Sequence, residues 1–232
     1  MVSEVAHVTD AVTPRRRAGT LALAMARRML DLVLALVLLA VLMPLLLAIA
    51  AAVRLDSPGS PIFRQRRLGL DKRPFTVVKF RTMRAKADAE PHRAYIGELI
   101  ACGHDAKRDG HGGTSLFKLA VDDRVTRTGS LLRRWSLDEL PQLWNVVRGE
   151  MALVGPRPVV PYELEHYPDW YHERFAVQPG LTGLWQVSGR NERTYEEMVA
   201  LDVEYVRRHS LRLDLTILVR TIWTVVNRKG VA

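Results

Sequence analysis

Hydrophobic and polar positions divide the chain into one long apolar block and a succession of short mixed segments. The run from Leu32 to Val53 carries no charge. As a helix it is roughly 33 Å long, enough for a hydrocarbon core of about 30 Å. A signal peptide fits poorly, because the run is too long and no small-residue cleavage site follows it. Pro44 lies inside the run, where it withholds a backbone N–H and kinks or breaks a helix. Residues 1–19 are polar, include Arg15-Arg16-Arg17, and read as a disordered tail. Residues 20–55 form the membrane segment, which the turn cluster Asp56-Ser57-Pro58-Gly59-Ser60-Pro61 ends, and residues 56–232 form a single further domain.

Beyond that cluster the period changes. Ile62–Gln65 and Phe75–Arg81 predict two strands with a hairpin turn over Leu68–Lys72. Met83–Ile100 predicts a helix interrupted by Pro91, Gly103–Ser115 a loop and Leu116–Ala120 a short strand; Gly129 and Ser130 open the next helix. Ser136 stands three residues before Glu139, the pattern of a capping box. Leu140, Leu143, Trp144 and Val147 then recur at helical spacing and are expected to face the core, with Gly149 as the stop. Pro141 makes the start of that helix irregular. Pro161–Phe175 predicts an aromatic-rich helix or pair of turns, Gln178–Gly183 a loop and Leu184–Val187 a short strand. Thr194 and Glu197 form a second capping box for a helix ending near His209, and Ser210 caps the last helix. The stripe Leu213, Ile217, Leu218, Ile222, Trp223, Val225 and Val226 of that helix is read as core, with a membrane-interface helix as the alternative. The pattern is α+β and mostly helical, with a small β-hairpin.

Charge adds direction. The chain has 34 Lys and Arg against 25 Asp and Glu, a net charge of +9, which points to phosphates, nucleic acid or a membrane surface as partners. Basic residues flank the apolar block on both sides: Arg15–Arg17, Arg27 and Arg28 before it, then Arg54, Arg64, Arg66, Arg67, Lys72 and Arg73. Positive charge favours the cytoplasmic side. A plain span, the commoner arrangement, puts one cluster outside; a helix that turns back at Pro44 keeps both inside. Both topologies stay open on these grounds. Cys102 is the single cysteine, so the chain forms no internal disulfide and no cysteine metal cluster. His104, Asp105, Asp109 and His111 share a loop, where such residues are more often solvated than metal-bound.

No phosphate-binding glycine loop, nucleophile elbow, zincin motif or zinc-spaced Cys/His set occurs, and no nucleic-acid-binding signature accompanies the charge. The remaining candidates are carboxylates and cations. Adjacent acids at Asp138 and Glu139 diverge too far to flank a glycosidic bond, but two carboxylates can divide nucleophile and cation-holding roles around one phosphorus. Against this, acids in a first helical turn are common for stability alone, at about 0.3–1 kcal/mol each. Lys79 and Arg81 are two apart and so share a strand face, as a phosphate grip or, more commonly, a solvated basic rim. Arg157 lies between Pro156 and Pro158, which stiffen its backbone, and Arg190 is an exposed cation in a turn.

Five segments together resemble the bacterial sugar transferase family, and among it the small monotopic polyprenyl-phosphate hexose-1-phosphate transferases, or phosphoglycosyl transferases. They are the apolar helix interrupted by Pro44, PIFRQRRLGLDKRPFTVVKFRTM, LFKLAVDDRVTRTGSLLRRWSLDELPQLWNVVRGEMALVGPRP, QPGLTGLWQVSGR and LDVEYVRRHSLRLDLTILVRTIW, covering most of Ala26 to Val226. The resemblance implies a re-entrant membrane helix broken at Pro44, a compact catalytic domain with amphipathic interfacial helices, and a location on the cytoplasmic face of the bacterial inner membrane. It implies transfer of a sugar 1-phosphate from a UDP-sugar to polyprenyl phosphate with UMP leaving, commonly in exopolysaccharide or capsule assembly. Asp138 takes the nucleophile's role in a covalent ping-pong scheme, and Glu139 with Asp138 holds Mg²⁺. Lys79, Arg81, Arg133, Arg157 and Arg190 are the matching phosphate-binding cations. Anionic lipids are expected partners and nucleic acid is not; the oligomeric state, a homodimer included, and the sugar are left open. The rival reading is a non-catalytic, membrane-anchored basic module that binds anionic lipid or nucleic acid.

Overall fold

The computed structural model describes residues 14–84, 124–189 and 193–227. Most of the expected Met83–Ile100 helix, the 103–115 loop, the 116–120 strand and Arg190 lie outside these residues. The first element, α1 (Pro14–Asp56), is a single helix with Pro44 inside it, and it starts within the expected tail. Its residues Ala24–Asp56 are long and apolar enough to cross a membrane, by length and composition.

Positions 35, 39, 42, 46, 49 and 53 of α1 alternate steps of four and three, so they form one stripe along the helix. Ala35 is fully buried, with Leu39 and Leu42 packed against the same main core. Ile49 and Val53 are buried with Phe80 and Leu132, and Leu46 packs there too. The opposite side, including Val33, Val37, Val41 and Leu47, is exposed.

The hairpin forms as expected, though longer. Strands β1 (Ile62–Leu68) and β2 (Pro74–Phe80) are antiparallel, with Ile62 opposite Phe80 and Leu68 opposite Pro74. Helix α2 (Arg127–Arg134) is capped by Thr126, which accepts from the Gly129 N–H (3.0 Å). A six-residue 3-10 turn over Leu137–Gln142 precedes helix α3 (Leu143–Arg148), and Gly149 ends that helix at φ 80°, as its position predicted. Asn145 fastens α3 to the free edge of β2. Its Oδ1 accepts from the Val78 N–H (3.1 Å) and its Nδ2 donates to the Thr76 carbonyl (2.7 Å). Trp144, expected in the core, is 52% exposed, because α3 is under two turns long and Asn145 and Val146 occupy its inner side.

Strands β3 (Ala152–Val154) and β4 (Gly180–Thr182) form a second, parallel pair, with Ala152 opposite Gly180 and Val154 opposite Thr182. The strand therefore falls inside the expected 178–183 loop, and Trp185–Val187, inside the expected strand, forms a 3-10 turn. Pro161–His166 and Asp169–Ala176 are 3-10 segments, matching the reading as a pair of turns. Helix α4 (Tyr195–Arg208) opens with the full Thr194–Glu197 capping box. Helix α5 (Leu211–Val226) is capped by Ser210. The α5 stripe divides: Ile217 is buried and Leu213 and Leu218 pack on the core, whereas Ile222, Trp223 and Val226 point outward beside Leu215 and Val219. The core reading holds for only half of it, because the apolar positions cover more of the helix than one neighbour can bury.

Candidate active site

The hairpin register fixes which side chains meet. Residues 63, 65 and 67 of β1 lie opposite 79, 77 and 75 of β2, so Arg67, Val77 and Lys79 share one face. That face walls a small cleft open to solvent, with Glu139, Gln142, Arg157 and Gln186 on the other sides.

Ser136 has φ 56° and makes no side-chain cap bond, so the expected Ser136–Glu139 capping box is absent. The Glu139 N–H instead donates to the Ser136 carbonyl (3.3 Å). The left-handed turn at Ser136, an uncommon conformation for a residue with a Cβ, swings the chain from α2 into the 3-10 turn that carries the acids. Glu139 spends its carboxylate across the cleft: Lys79 Nζ donates to its Oε1 (2.7 Å), and Arg157 Nη1 lies 3.9 Å from the same oxygen. Asp138 is half-buried, and its charge acts on the Lys79 ammonium. Burial pushes the Lys79 pKa below its usual value; Glu139 and Asp138 oppose this, while Arg157 and Arg67 reinforce it. Arg67 is lowered to about 10 by burial and by Arg157. Arg67, Lys79 and Arg157 thus crowd one small space, where Glu139, Asp138 and Glu163 offset part of their charge.

The loop Gly155-Pro156-Arg157-Pro158 presents Arg157. The Gly155 N–H donates to the Thr182 carbonyl (2.9 Å), the Gly180 N–H to the Pro156 carbonyl (2.8 Å), and Arg67 Nη1 to the Pro158 carbonyl (2.9 Å). A Cβ at Gly180 would stand 2.0 Å from the Gly155 nitrogen, so only glycine lets the two backbones meet this closely.

Two expected cations face elsewhere. β2 ends at Phe80, so Arg81 leaves the Lys79 face. Its guanidinium donates to the Pro58 carbonyl (2.8 Å), the Ser57 carbonyl (2.6 Å) and Ser57 Oγ (2.9 Å), locking the hairpin to the end of α1. Arg133 Nε donates to Thr82 Oγ1 (2.9 Å); neither its side chain nor that of Asp138 is among those lining the cleft, which Glu139 enters. Arg67 and Gln186, in contrast, line the cleft without having been singled out as site residues. The face-sharing of 63, 65 and 67 with 75, 77 and 79 would have revealed Arg67 once the hairpin was centred on Gly69–Arg73.

The acid pair suits a magnesium ion. Mg²⁺ takes hard oxygen ligands and is usually held by one or two carboxylates together with substrate phosphates. Among the described residues there is no cluster of three metal-ligating side chains. Asp138 and Glu139 are oxygen donors of the kind such an ion takes.

Comparison with known proteins gives the family. The sequence profile of the bacterial sugar transferases matches residues 22–228. A UDP-galactose-lipid carrier transferase of Erwinia amylovora is 46% identical over 172 residues, which cover 74% of this chain and 34% of that protein. The exopolysaccharide production protein ExoY of Rhizobium meliloti (strain 1021) is 43% identical over 206 residues, 89% of this chain and 88% of that protein. A UDP-glucose:undecaprenyl-phosphate glucose-1-phosphate transferase of Xanthomonas campestris pv. campestris is 42% identical, over 78% of this chain and 35% of that protein. The chain thus spans about a third of the Erwinia and Xanthomonas proteins and most of the Rhizobium one. With a profile match over nearly its whole length, the chain belongs to the bacterial sugar transferase family.

Proposed function

We propose that the protein transfers a sugar 1-phosphate from a UDP-sugar to polyprenyl phosphate, releasing UMP, in the assembly of an exopolysaccharide or related glycoconjugate. The observation that carries this reading is the Asp138–Glu139 pair set against Arg67, Lys79 and Arg157. The named activities of the Erwinia and Xanthomonas relatives and the role of ExoY point the same way.

In this mechanism an Asp138 carboxylate oxygen attacks the sugar-bearing phosphorus of the donor. The bond from that phosphorus to the bridging oxygen breaks, and UMP leaves with the oxygen and its electron pair. An aspartyl phosphosugar remains. An oxygen of polyprenyl phosphate then attacks the same phosphorus, the aspartyl bond breaks, and the carboxylate is restored. Lys79, Arg67 and Arg157 bind the diphosphate and favour the charge that builds on its oxygens. Glu139 and Asp138 would hold Mg²⁺, which neutralises phosphate charge when bound. Glu139, tied to Lys79, also keeps that ammonium aimed into the cleft.

The lipid acceptor calls for a membrane face, and α1, which runs as one helix through Pro44, is the element that would enter and leave the membrane on the same side. Arg28 donates to the Val146 and Val147 carbonyls (2.6 and 2.9 Å), and the Leu153 N–H donates to Asp31. At the other end Val53 packs on Phe80, and Asp56 accepts from the Thr128 N–H (2.9 Å). Arg28 and Val53 would stand roughly 37 Å apart along a straight helix, on opposite membrane surfaces if it spanned. One domain holding both ends supports placing both on the cytoplasmic side of the inner membrane. The outward apolar faces of α1 and α5 then meet lipid.

Purified protein, given polyprenyl phosphate, Mg²⁺ and a panel of UDP-sugars, is expected to release UMP. Asp138→Asn should release none, and mass spectrometry of wild type given donor alone should find a phosphosugar adduct on Asp138. Equal activity in the variant removes Asp138 as the nucleophile. For topology, cysteines at positions 10 and 60 should both react only from the cytoplasmic side; labelling of position 10 from outside restores a span.

A further inference from the structure

Behind the cleft lies a polar cluster that the reaction scheme does not use. Arg174 and Asp202 are both buried and form a close ion pair. Arg174 Nη1 donates to Tyr167 Oη (2.9 Å), and the Tyr167 and Tyr195 hydroxyls are 2.6 Å apart. Both hydroxyls donate to the buried Glu163 carboxylate, at 3.1 and 2.8 Å. The cluster ends on one residue of the catalytic loop. Arg174 Nη2 donates to the Arg157 carbonyl (3.3 Å), and Asp202, whose Oδ2 holds Arg174, keeps its Oδ1 without a hydrogen-bond partner on the side of the Arg157 N–H.

A buried ion pair is a poor way to gain stability, since well-packed apolar residues often do as well or better. This pair does something apolar residues cannot: Arg174 donates to the Arg157 carbonyl, and Asp202 holds Arg174 while placing its charge on the side of the Arg157 N–H. Pro156 and Pro158 have no N–H, so the Arg157 amide is the one donor across those three positions. Three other backbone groups of the loop, the Gly155 N–H and the Pro156 and Pro158 carbonyls, are already held by Thr182, Gly180 and Arg67. Proline fixes its own φ and pushes the preceding residue toward extended geometry, but it leaves that residue's peptide planes some freedom. Arg174 and Asp202 remove it.

We propose that Arg174 and Asp202 are positioning residues that clamp the Arg157 backbone and thereby aim its guanidinium at the cleft beside Glu139. They touch no substrate; they act through Arg157. The proposal rests on the transferase reading of the cleft, and its test has one arm that does not.

That arm is residue-resolved hydrogen exchange on the full-length protein in lipid nanodiscs. In Asp202→Asn and in Arg174→Lys, which keeps the charge but loses the second fork donor, the Arg157 amide should exchange at least about tenfold faster. The Val159 amide, which donates to Leu68 (3.4 Å), should be unchanged. Loss of protection at both amides marks a misfolded variant, and the milder Arg174→Lys then decides. Unchanged exchange at Arg157 overturns the clamp.

The second arm is UMP release. Each variant should lose about 10²-fold in kcat, the scale of a displacement near 1 Å. In an Arg157→Lys background the same substitutions should cost nothing further, because the residue they aim is already gone. Losses that multiply instead assign the pair to general stability and overturn the proposal. If wild type releases no UMP from any donor, the transferase reading falls, while the exchange result still decides the clamp.

Discussion

Gly180 lies in the wall of the cleft, and replacing its hydrogen with a methyl group tests whether the backbone contact beneath Arg157 sets the rate. An added Cβ would meet the Gly155 nitrogen at 2.0 Å, the Thr182 oxygen at 2.4 Å and the Gly155 Cα at 2.7 Å. All three are backbone atoms, so no side chain can rotate away. Restoring ordinary contact near 3.4 Å means opening the β3–β4 pair by roughly 1.4 Å. That breaks the Gly155–Thr182 and Gly180–Pro156 hydrogen bonds, now 2.9 and 2.8 Å, and carries Arg157 with them. Two buried bonds lost cost about 1–3 kcal/mol each, and a displacement near 1 Å in a catalytic group costs about 10²-fold in rate. Gly180→Ala should therefore melt several degrees lower and turn over about a hundredfold slower. The assays are UMP release in nanodiscs and a thermal melt on the same preparation. Gly69→Ala is the control: its Cβ would meet the Phe75 ring at 3.2 Å and Pro179 Cγ at 3.3 Å, contacts that give by tenths of an ångström. It should stay within about tenfold of wild type, since it moves no catalytic group by as much as 1 Å. If Gly180→Ala turns over within a factor of two of wild type, the strand contact does not position the site.

Lys79 and Glu139 should be coupled: in a cycle of Lys79→Met, Glu139→Gln and the double variant, melts should give an interaction of about 1–3 kcal/mol, and additive effects would sink the cross-cleft pair. Asn145→Ala leaves the Val78 N–H and Thr76 carbonyl of β2 without their partner, at about 1–3 kcal/mol each, so its melting temperature should drop sharply; Asn145→Asp should drop at least as far, because a buried carboxylate oxygen would replace the amide nitrogen that now donates to the Thr76 carbonyl and the Glu150 carboxylate. Burial raises the Asp202 carboxyl to about 6 from an ordinary value of 3.8, against the pull of Arg174. A raised pKa contributes stability that is full below about 3.8 and lost as pH climbs through about 6. The stability of wild type minus that of Asp202→Asn should accordingly fall between pH 4 and 7 in detergent melts; a rising difference would mean the ion pair outweighs its burial.

Local chemistry made part of this molecule readable. A long uncharged run gives α1, the Gly69 region gives the hairpin, and Gly149, Thr194 and Ser210 mark helix ends as their side chains dictate. The failures share a cause: a distant partner outcompeted a local one. Ser136 and Glu139 have the spacing of a capping box, but Lys79, sixty positions earlier, holds the Glu139 carboxylate. Gly180–Thr182 is a strand only because β3 lies beside it, and three residues carry no period. Arg81 was grouped with Lys79 by counting twos, and the strand ended between them. Asp202 left a mark that could have been followed. It falls one turn from Met198 and Val199 on the buried side of α4, and an acid at a core position asks for a buried cation.

The stripe on α1 bears on how the protein is made. Ala35 is fully buried and Val53 nearly so, and Arg28 caps the carbonyls at the end of α3. The membrane helix is thus a wall of the core as well as an anchor. A shortened chain beginning after Asp56 would leave Val77, Val146 and Phe80 facing water and should be recovered as aggregate rather than as a soluble enzyme. α1 leaves the ribosome before the residues that pack on it, so the catalytic domain is expected to assemble onto a helix already in the bilayer, with insertion preceding maturation.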